Sequence, residues 1–354
     1  MVVSVTITLT TFFCPKSNYE WATTQNNLAA TYTHRICGDR AENFELAIAA
    51  IEQALSVYTK PDFPYEWATT KNNLAVIYRD RIRGNKAENI EQAIASYEQA
   101  LLVYTKPDFP YKWATAQNNL GTIYSNRVRG DKAENIEQAI ASYEQALLVY
   151  TKSSDDWATT QNNLLAAYTK RIHGDETENL KLAIAAAEQA LLVYTKSNFP
   201  YDWAMTQNNL GLAYINLAFC GEKAENIEQA IAAFEQALSV YTPEAEPFRC
   251  IYSSKNLSLL YFYQSNWGKT IKTCEKGITA VELSRSWAND DDRRQEIMAE
   301  AIIVYQLQVQ AYININQWDK AIKTVERSKA RNLVELLAKQ NLKPKDVPQE
   351  ITDR

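Results

Sequence analysis

Residues 113–150 read Trp-Ala-Thr-Ala-Gln-Asn-Asn-Leu-Gly-Thr-Ile-Tyr, then Ser-Asn-Arg-Val-Arg-Gly-Asp-Lys-Ala-Glu-Asn, then Ile-Glu-Gln-Ala-Ile-Ala-Ser-Tyr-Glu-Gln-Ala-Leu-Leu-Val-Tyr. Nearly the same sequence begins at Trp21, Trp67, Trp157 and Trp203. Together with Trp113, these starting positions are separated by 46, 46, 44 and 46 residues. A fixed period of this length is typical of solenoid proteins, in which each repeat packs on its neighbours. We therefore predict five tandem repeats within residues 21–248.

Each repeat is predicted to form two antiparallel helices. Apolar residues recur at helical spacing in both halves of the repeat: Trp113, Ala116, Leu120, Ile123 and Tyr124 in the first helix, and Ala93, Tyr97, Ala100 and Leu101 in the second. We expect Glu91, Glu98 and Gln99 to face solvent. One helix pair cannot cover its own apolar stripe, whereas stacked pairs can, so the expected fold is an all-α, right-handed superhelical solenoid of helix pairs.

Residues with special backbone preferences mark the predicted helix ends. Asp62 and Asp108, each before a Phe-Pro step, are candidate caps of first helices. Gly84 and Gly130 are expected to adopt the left-handed conformation after these helices. Asn89 and Asn135, each followed three residues later by Gln, are expected to cap the second helices. Gly121 and Gly211 are small where a neighbouring helix must come close.

Composition favours a protein of the cytoplasm. The net charge of −5 is too small to indicate nucleic acid or a membrane surface as a partner. The five cysteines have no metal or redox spacing and are odd in number, which favours reduced thiols over disulfides: Cys14, Cys37, Cys220, Cys250 and Cys274. The apolar residues 2–13 lack the basic flank and cleavage site of a signal peptide.

The repeat resembles the tetratricopeptide repeat. The resemblance rests on Leu-Gly-x-x-Tyr in residues 120–124 and on Ala-x-x-x-Tyr-x-x-Ala-Leu in residues 139–147. This repeat is longer than the usual one, and its Asn-Asn-Leu helix after a Pro-containing turn is similar to the repeats of kinesin light chains. The tandem Ala-Glu-Asn-Ile-Glu-Gln-Ala-Ile version is similar to bacterial, especially cyanobacterial, arrays. The resemblance covers roughly residues 20 to 340 and implies a module that binds a protein partner.

Outside the five repeats the pattern weakens. Residues 1–20 are expected to be an atypical leader, a remnant of a repeat. Residues 249–340 are expected to hold two diverged repeats and a capping helix over residues 326–338, followed by a polar tail at residues 341–354.

A second resemblance lies in the capping helix. Ala-Arg-Asn-Leu-Val-Glu-Leu-Leu-Ala at residues 330–338 is similar to the junction at which many bacterial repeat proteins continue into a caspase-like CHAT peptidase domain. This chain is expected to lack that domain. The resemblance therefore implies no catalysis here, but a CHAT-type peptidase in cis or in trans is a possible partner.

A polar stripe beside the apolar one is the predicted binding site. Thr115, Asn118, Asn119 and Asn126 share one face of the first helix, and the other repeats have matching sets. In the tetratricopeptide family this face lines the concave groove. The predicted peptide-binding residues are Asn26 and Asn27, Asn72 and Asn73, Asn118 and Asn119, Asn162 and Asn163, Asn208 and Asn209, then Thr69, Thr115 and Thr159, and finally His34, Asp80, Asn126, Lys170 and Asn216.

Two interpretations of the paired asparagines stay open. Their amides suit an extended peptide, whose backbone offers one donor and one acceptor per residue. Alternatively, they bond their own backbone or the next repeat and so fix how the repeats stack. We favour contact with a ligand, particularly for the second Asn of each pair.

A row of arginines follows each first helix: Arg35, Arg81, Arg127 and Arg171, with Leu217 in the fifth repeat. It could form a basic edge for an acidic partner. We favour the alternative, in which these arginines pair with the loop glutamates Glu42, Glu88, Glu134 and Glu178.

The sequence does not favour an enzyme. Its two histidines, His34 and His173, stand in different repeats and lie near no nucleophile or metal-ligand pattern. We see no glycine-rich phosphate loop and expect no cofactor or metal. The predicted function is a non-catalytic module, an adaptor, scaffold or sensor that binds a peptide segment or helix of a partner protein in its groove. The alternative is the recognition and regulatory region of a caspase-like peptidase.

Overall fold

The computed structural model describes residues 18–221, 223–287 and 291–339, and within these it does not place the side chains of residues 223, 291–300 and 329–339. The chain divides between Val193 and Tyr194 into an N-terminal block and a C-terminal block. Across the described residues every regular element is an α-helix, fourteen in all. The polar tail and most of the leader lie outside the described residues, and residues 18–20 open the first helix.

The N-terminal block consists of four helix pairs, one for each of the first four repeats. Its helices are α1 Asn18–Thr33, α2 Arg40–Leu55, α3 Pro64–Asp80, α4 Lys86–Leu101, α5 Pro110–Ser125, α6 Lys132–Leu147, α7 Asp155–Thr169 and α8 Glu176–Leu191. Odd-numbered helices are the first and even-numbered helices the second of each repeat. The predicted helix pairs are therefore confirmed.

The C-terminal block holds the fifth repeat and two diverged helix pairs. Its helices are α9 Pro200–Phe219, α10 Lys223–Leu238, α11 Pro247–Tyr263, α12 Trp267–Trp287, α13 Asp291–Asn314 and α14 Trp318–Lys339. The expected capping helix is not a separate element, because α14 runs without interruption through residues 326–338. The continuous helix follows from the sequence, since no Gly or Pro interrupts residues 318–339.

The turn between the two helices of a repeat is built differently from the prediction. Gly84 is left-handed at φ +82°, as expected. The cap of the second helix, however, is Asn85, whose Oδ1 accepts from the amides of Ala87 and Glu88 at 2.9 and 3.2 Å. Asn89 lies inside that helix, 5% exposed, and its Nδ2 donates to the Arg83 carbonyl at 2.9 Å. It therefore braces the turn and does not cap the helix.

The other repeats share this construction. Asp39, Asp131 and Asp175 are the caps, and Asn43, Asn135 and Asn179 are the buried braces. The prediction that Asn135 caps a helix is therefore wrong, as it is for Asn89. An Asx residue directly after the left-handed Gly reaches the first free amides, so the helix begins one turn earlier than the Asn-x-x-Gln pattern suggests.

The first helices α3, α5 and α9 begin with proline and have no acidic cap, whereas α7 is capped by Ser154. Pro64 occupies the first turn of α3, and its N-cap is Phe63, which makes no side-chain capping bond. Asp62 instead accepts from the Thr59 hydroxyl at 2.6 Å. The predicted role of Asp62 is therefore wrong, because its carboxylate serves the preceding turn. Asp108 is engaged in the same way by Thr105, at 2.5 Å.

Neighbouring repeats share one apolar core. Leu120 and Ile123 of α5 pack with Ile90, Ile94 and Tyr97 of α4, and all five are less than one-tenth exposed. Gly121 permits a close approach between α5 and α6 of the same repeat, since a Cβ there would lie 2.8 Å from the Tyr143 ring. The first helix of each of these repeats thus buries its apolar stripe against the repeat before it.

An ion pair fixes each junction of the N-terminal block. Arg127 donates through Nε and Nη2 to both carboxylate oxygens of Glu91 at 2.9 and 2.7 Å, and through Nη1 to Asn135 at 3.3 Å. Arg81 and Glu45, and Arg171 and Glu137, form the same fork. Each fork joins a first-helix end to the second helix of the preceding repeat.

This arrangement corrects two expectations. The ion-pair partners of Arg81, Arg127 and Arg171 are helix glutamates, because the long guanidinium side chain reaches across the junction instead of back into the loops. Glu91 is accordingly half-buried and not solvent-facing. Glu42 and Glu88, in the first turns of α2 and α4, pair with Arg83 and Arg129. These outer pairs are about half exposed and contribute little to stability.

The C-terminal block uses a similar fork at its last helix. Arg327 of α14 donates to both oxygens of Glu282 at 2.7 and 2.9 Å, and to Glu275 at 2.8 Å. Gln308, 1% exposed, also donates to Glu275. These bonds fasten α13 and α14 to α12.

Gly121→Ala is expected to lower the free energy of unfolding by about 1–3 kcal/mol, because the added methyl group collides with Tyr143. Gly268→Ala is the matched control, since a Cβ at Gly268 meets nothing within 4 Å. Urea unfolding followed by circular dichroism measures both variants. Equal stability of the two would show that the close approach at Gly121 is not a packing constraint.

Glu91→Gln is expected to cost about 1–2 kcal/mol near neutral pH, because a charged bond across a half-buried junction is lost. The Arg127 guanidinium holds the pKa of Glu91 below its usual value. The ionised fork therefore contributes its full stability above the usual glutamate pKa, and this contribution is lost as pH falls through the lowered one.

The gap in unfolding free energy between wild type and Glu91→Gln should consequently shrink between about pH 7 and pH 3. Glu88→Gln, which changes the exposed partner of Arg129, is the control and should alter stability little at either pH. A gap for Glu91→Gln that does not change with pH would contradict this account.

Candidate functional site

The predicted polar stripe lies on first helices that run side by side in the N-terminal block. The Asn73 amide of α3 donates to Asn26 Oδ1 of α1 at 3.2 Å. The Asn163 amide of α7 donates to Asn118 Oδ1 of α5 at 3.2 Å. The Tyr19 hydroxyl also reaches Glu66 at 3.0 Å. The structure therefore brings the asparagines of successive repeats together on one surface, named here the asparagine surface.

The members of the asparagine surface differ in how they are used. Asn73 and Asn163 each donate one amide hydrogen to an asparagine of the preceding repeat. Asn118 also accepts from the buried Thr160 hydroxyl at 3.0 Å. Asn72 and Asn119 are half-buried and make no hydrogen bond to each other. Both proposed roles thus have candidate residues, since some amides join repeats and others keep capacity for a ligand.

Two further asparagines mark the ends of this surface. Asn27, in the first repeat, is exposed. Asn162, in the fourth, is only 5% exposed, and its Oδ1 has no hydrogen-bond partner among the described residues. The degree of exposure therefore changes along the array although the residue type does not.

The predicted threonines are committed to internal bonds. The Thr69 hydroxyl donates to the Tyr65 carbonyl at 2.9 Å and lies 2.7 Å from the Tyr104 hydroxyl. Thr115 stands in the same relation to Tyr150 at 3.2 Å, and Thr159 also has a bonding partner. Burial raises the pKa of Tyr104 to about 12. Its hydroxyl therefore stays protonated at neutral pH and closes the end of the second helix onto the first.

The variable end of the surface carries a different chemistry in each repeat. His34, Asn126 and Lys170 are exposed. Asp80 is also exposed, and Arg79 beside it donates to both of its carboxylate oxygens at 2.8 and 2.7 Å. The Asn126 amide returns to the Thr122 carbonyl at 2.8 Å. His34 and Lys170 thus leave their side chains to solvent.

The C-terminal block carries the fifth repeat's share of the predicted site. Asn208 Oδ1 accepts from the Ser253 hydroxyl of α11 at 2.7 Å, and its amide approaches Asn209 Oδ1 at 3.5 Å. Asn209 and Asn216 are half-buried. The side-by-side contact of first helices therefore continues within this block into a diverged repeat.

Sequence reasoning missed the residues that hold these helices in place. The sequence pattern assigns Glu91 to solvent and Asn89 and Asn135 to helix caps, and it does not single out Glu45, Glu137, Asn43 or Asn179. The sequence does contain a signal for the brace asparagines, because an Asn lies five residues after the loop Gly in each of the first four repeats. No such signal marks the Arg–Glu partners, which lie 36 or 34 residues apart.

Other kinds of site were sought in the described parts of the chain. No group of three or more His, Cys, Asp or Glu side chains there has an arrangement suited to a metal ion. Within the same ranges, no helix is both long and apolar enough to cross a membrane.

Family comparisons identify the repeat. Residues 67–111 and 113–148 match one model of the tetratricopeptide repeat, and residues 208–242 match another. The chain therefore contains tetratricopeptide repeats in both blocks, and this part of the predicted resemblance is confirmed. No curated protein matches the sequence. The resemblance to a repeat–peptidase junction stays a prediction, and it falls on residues 330–338, whose side chains lie outside the description.

Solved structures show the same fold at low sequence identity. The C-terminal part of a repeat-containing protein from Cytophaga hutchinsonii is 15% identical, with a TM-score of 0.54, over 86% of this chain and 94% of that one. The apo form of RapI is 13% identical, with a TM-score of 0.50, over 90% and 92%. A putative kinesin light chain from Podosopora anserina is 17% identical, with a TM-score of 0.45, over 62% and 97%. The first two similarities confirm the all-α solenoid fold.

A double-mutant cycle tests how the asparagine surface is built. Asn26→Ala and Asn73→Ala should be non-additive, with a coupling of about 0.5–1 kcal/mol in unfolding free energy, because they remove the same hydrogen bond. Asn72→Ala and Asn119→Ala form the matched control pair and should add. Additivity of the first pair would mean that its bond does not stabilise the junction.

Proposed function

We propose that this tetratricopeptide-repeat chain is a non-catalytic scaffold that binds an extended segment of a partner protein along the asparagine surface. The tetratricopeptide fold generally serves protein–protein interaction. The observation that carries the proposal is the row of half-buried amides repeated along α1, α3, α5 and α7. Each amide offers both a donor and an acceptor to a peptide backbone.

The amides best suited to a ligand are those that keep donor and acceptor capacity. Asn72 has no bond to a neighbouring repeat, Asn119 meets the Tyr97 hydroxyl of the preceding repeat and keeps the rest of its amide, and Asn27 is exposed at the first repeat. Half-burial favours binding, because such a group is partly desolvated before the ligand arrives and is held in place by the helix around it. In this proposal the Thr69 and Thr115 hydroxyls, which are already bonded, support the surface and do not contact the ligand.

Selectivity would come from the variable ends of the first helices. His34 and Lys170 can receive acidic or polar side chains of the ligand, whereas the Arg79–Asp80 pair between them presents both charges. This spread of charge favours a segment of mixed composition over a strongly acidic one. A terminal carboxylate is not the expected anchor, since the surface has no cluster of basic residues at one point.

A structural role for the asparagines remains the competing proposal for part of the set. Asn73 and Asn163 bond the preceding repeat and are the residues it fits best. The regulatory region of a caspase-like peptidase is a narrower alternative. It rests on the sequence of residues 330–338 and would place that peptidase in cis or in trans as the partner.

Selection of random extended peptides on the purified chain, followed by affinity measurement, tests the scaffold proposal. The variant Asn72→Ala/Asn119→Ala should bind the selected peptides at least about tenfold more weakly, because two amides that face the ligand are lost. Fluorescence anisotropy with labelled peptides gives the affinities.

Gln99→Ala/Gln145→Ala is the control, since it removes two exposed amides from the second helices. It should bind like wild type. Peptides that bind equally to both double variants would place the binding surface elsewhere on the chain, and failure to select any peptide would argue against recognition of extended segments.

A further inference from the structure

The three junctions of the N-terminal block show what each first helix requires from the repeat before it. The side chains of Arg81, Arg127 and Arg171 each donate hydrogen bonds to both carboxylate oxygens of one glutamate. The aliphatic residues beside them are covered at the same time, since Ile77 is 2% and Ile123 1% exposed. The occupant of this position is always a second helix with a Glu next to apolar residues, as in Ile90, Glu91 and Ile94.

The first repeat has the same surface, and no helix of the described residues occupies it. Its N-terminal face is formed by Leu28, Thr31, Arg35 and Ile36, at the positions of Leu120, Ile123, Arg127 and Val128. No carboxylate of the described residues pairs with Arg35, and the residue is exposed where its three equivalents are half-buried. Ile36 is 99% exposed, against 68% for Val128.

Thr31 keeps this face receptive to an apolar side chain. It replaces Ile77 and Ile123, which would suggest a surface adapted to water. Its hydroxyl, however, donates to the Asn27 carbonyl at 2.9 Å, so the polar group is already satisfied within the helix. The methyl group is then the part of Thr31 that a packed neighbour meets.

Residues 1–17 cannot supply the missing charge, because they contain neither Asp nor Glu. A carboxylate for Arg35 therefore has to come from another segment or another molecule. The three internal junctions define its setting as a helix with apolar residues one position before and three positions after the glutamate.

We propose that the N-terminal face of the first repeat binds a helix of a partner protein, with a glutamate on Arg35 and aliphatic residues over Leu28, Thr31 and Ile36. This surface adjoins the asparagine surface at the first repeat, since His34 lines one cavity with Arg35 and Ile36. The partner helix extends the stack in trans and repeats the contact that each second helix makes with the next repeat.

A labelled peptide with the sequence of residues 64–101, one complete helix pair, is the probe. It should bind the full chain, and Arg35→Ala should weaken binding at least about tenfold, as loss of a charged bidentate contact does. Arg35→Glu should abolish binding, and a peptide that carries Glu91→Arg should restore it. Fluorescence anisotropy measures all four combinations.

Ile36→Ser and Ile82→Ser are matched variants. Only the first alters the open face and should weaken binding, whereas Ile82 lies at a junction that is already occupied. Binding that does not depend on Arg35, or the absence of binding to wild type, would overturn the proposal. Sedimentation of the chain alone provides a further test, because self-association that Arg35→Glu abolishes would identify a second copy as the occupant and overturn it as well.

Discussion

Each helix pair of this chain exposes apolar surface that only the adjacent pair can cover, and the rest of the architecture follows from that constraint. Burying Leu120 and Ile123 against the preceding repeat supplies the attraction, which has no direction of its own. The Arg127–Glu91 fork supplies direction, since a bidentate pair tolerates little sliding or rotation. The brace Asn135 then joins the fork to the left-handed turn at Gly130. Packing, charge and backbone conformation meet at this point in each internal junction of the N-terminal block.

The same constraint divides the polar residues into those that are already bonded and those that keep bonding capacity. The Asn26–Asn73 bond joins two repeats, and the Thr69–Tyr104 bond closes one repeat on itself. Groups one helical position away keep their bonding capacity, as Asn72 does. A regular array can therefore present the same amide many times and yet vary the chemistry at the helix ends, where His34, Asp80 and Lys170 replace one another without disturbing the core.

Much of the fold could be predicted from the sequence because the repeat is nearly identical in five copies. Helical periodicity, the left-handed Gly84 and the close approach at Gly121 each depend on a few neighbouring residues, and the structure agrees with all three. Helix caps were harder, since Asn85 and Asn89 are both good caps by residue type and only the course of the turn distinguishes them. The ion-pair partner of Arg127 could not be identified from the sequence around it. Several glutamates lie within its reach in sequence, and the choice of Glu91 depends on how two repeats stack. For the asparagine surface, sequence placed the residues on one face, but not which amides are already bonded.

The fork also bears on how such an array changes in length. Each arginine depends on a glutamate 36 residues earlier, or 34 across the shorter repeat, and on nothing farther away. Removal of residues 67–112 would place Arg127 at the spacing from Glu45 that Arg81 now has. A duplicated repeat would likewise contain one arginine and one glutamate at the positions that form the junctions. Gain or loss of a whole repeat by recombination of the gene therefore leaves each remaining junction complete, and the number of asparagine pairs in the array can change in a single genetic step without a compensating mutation.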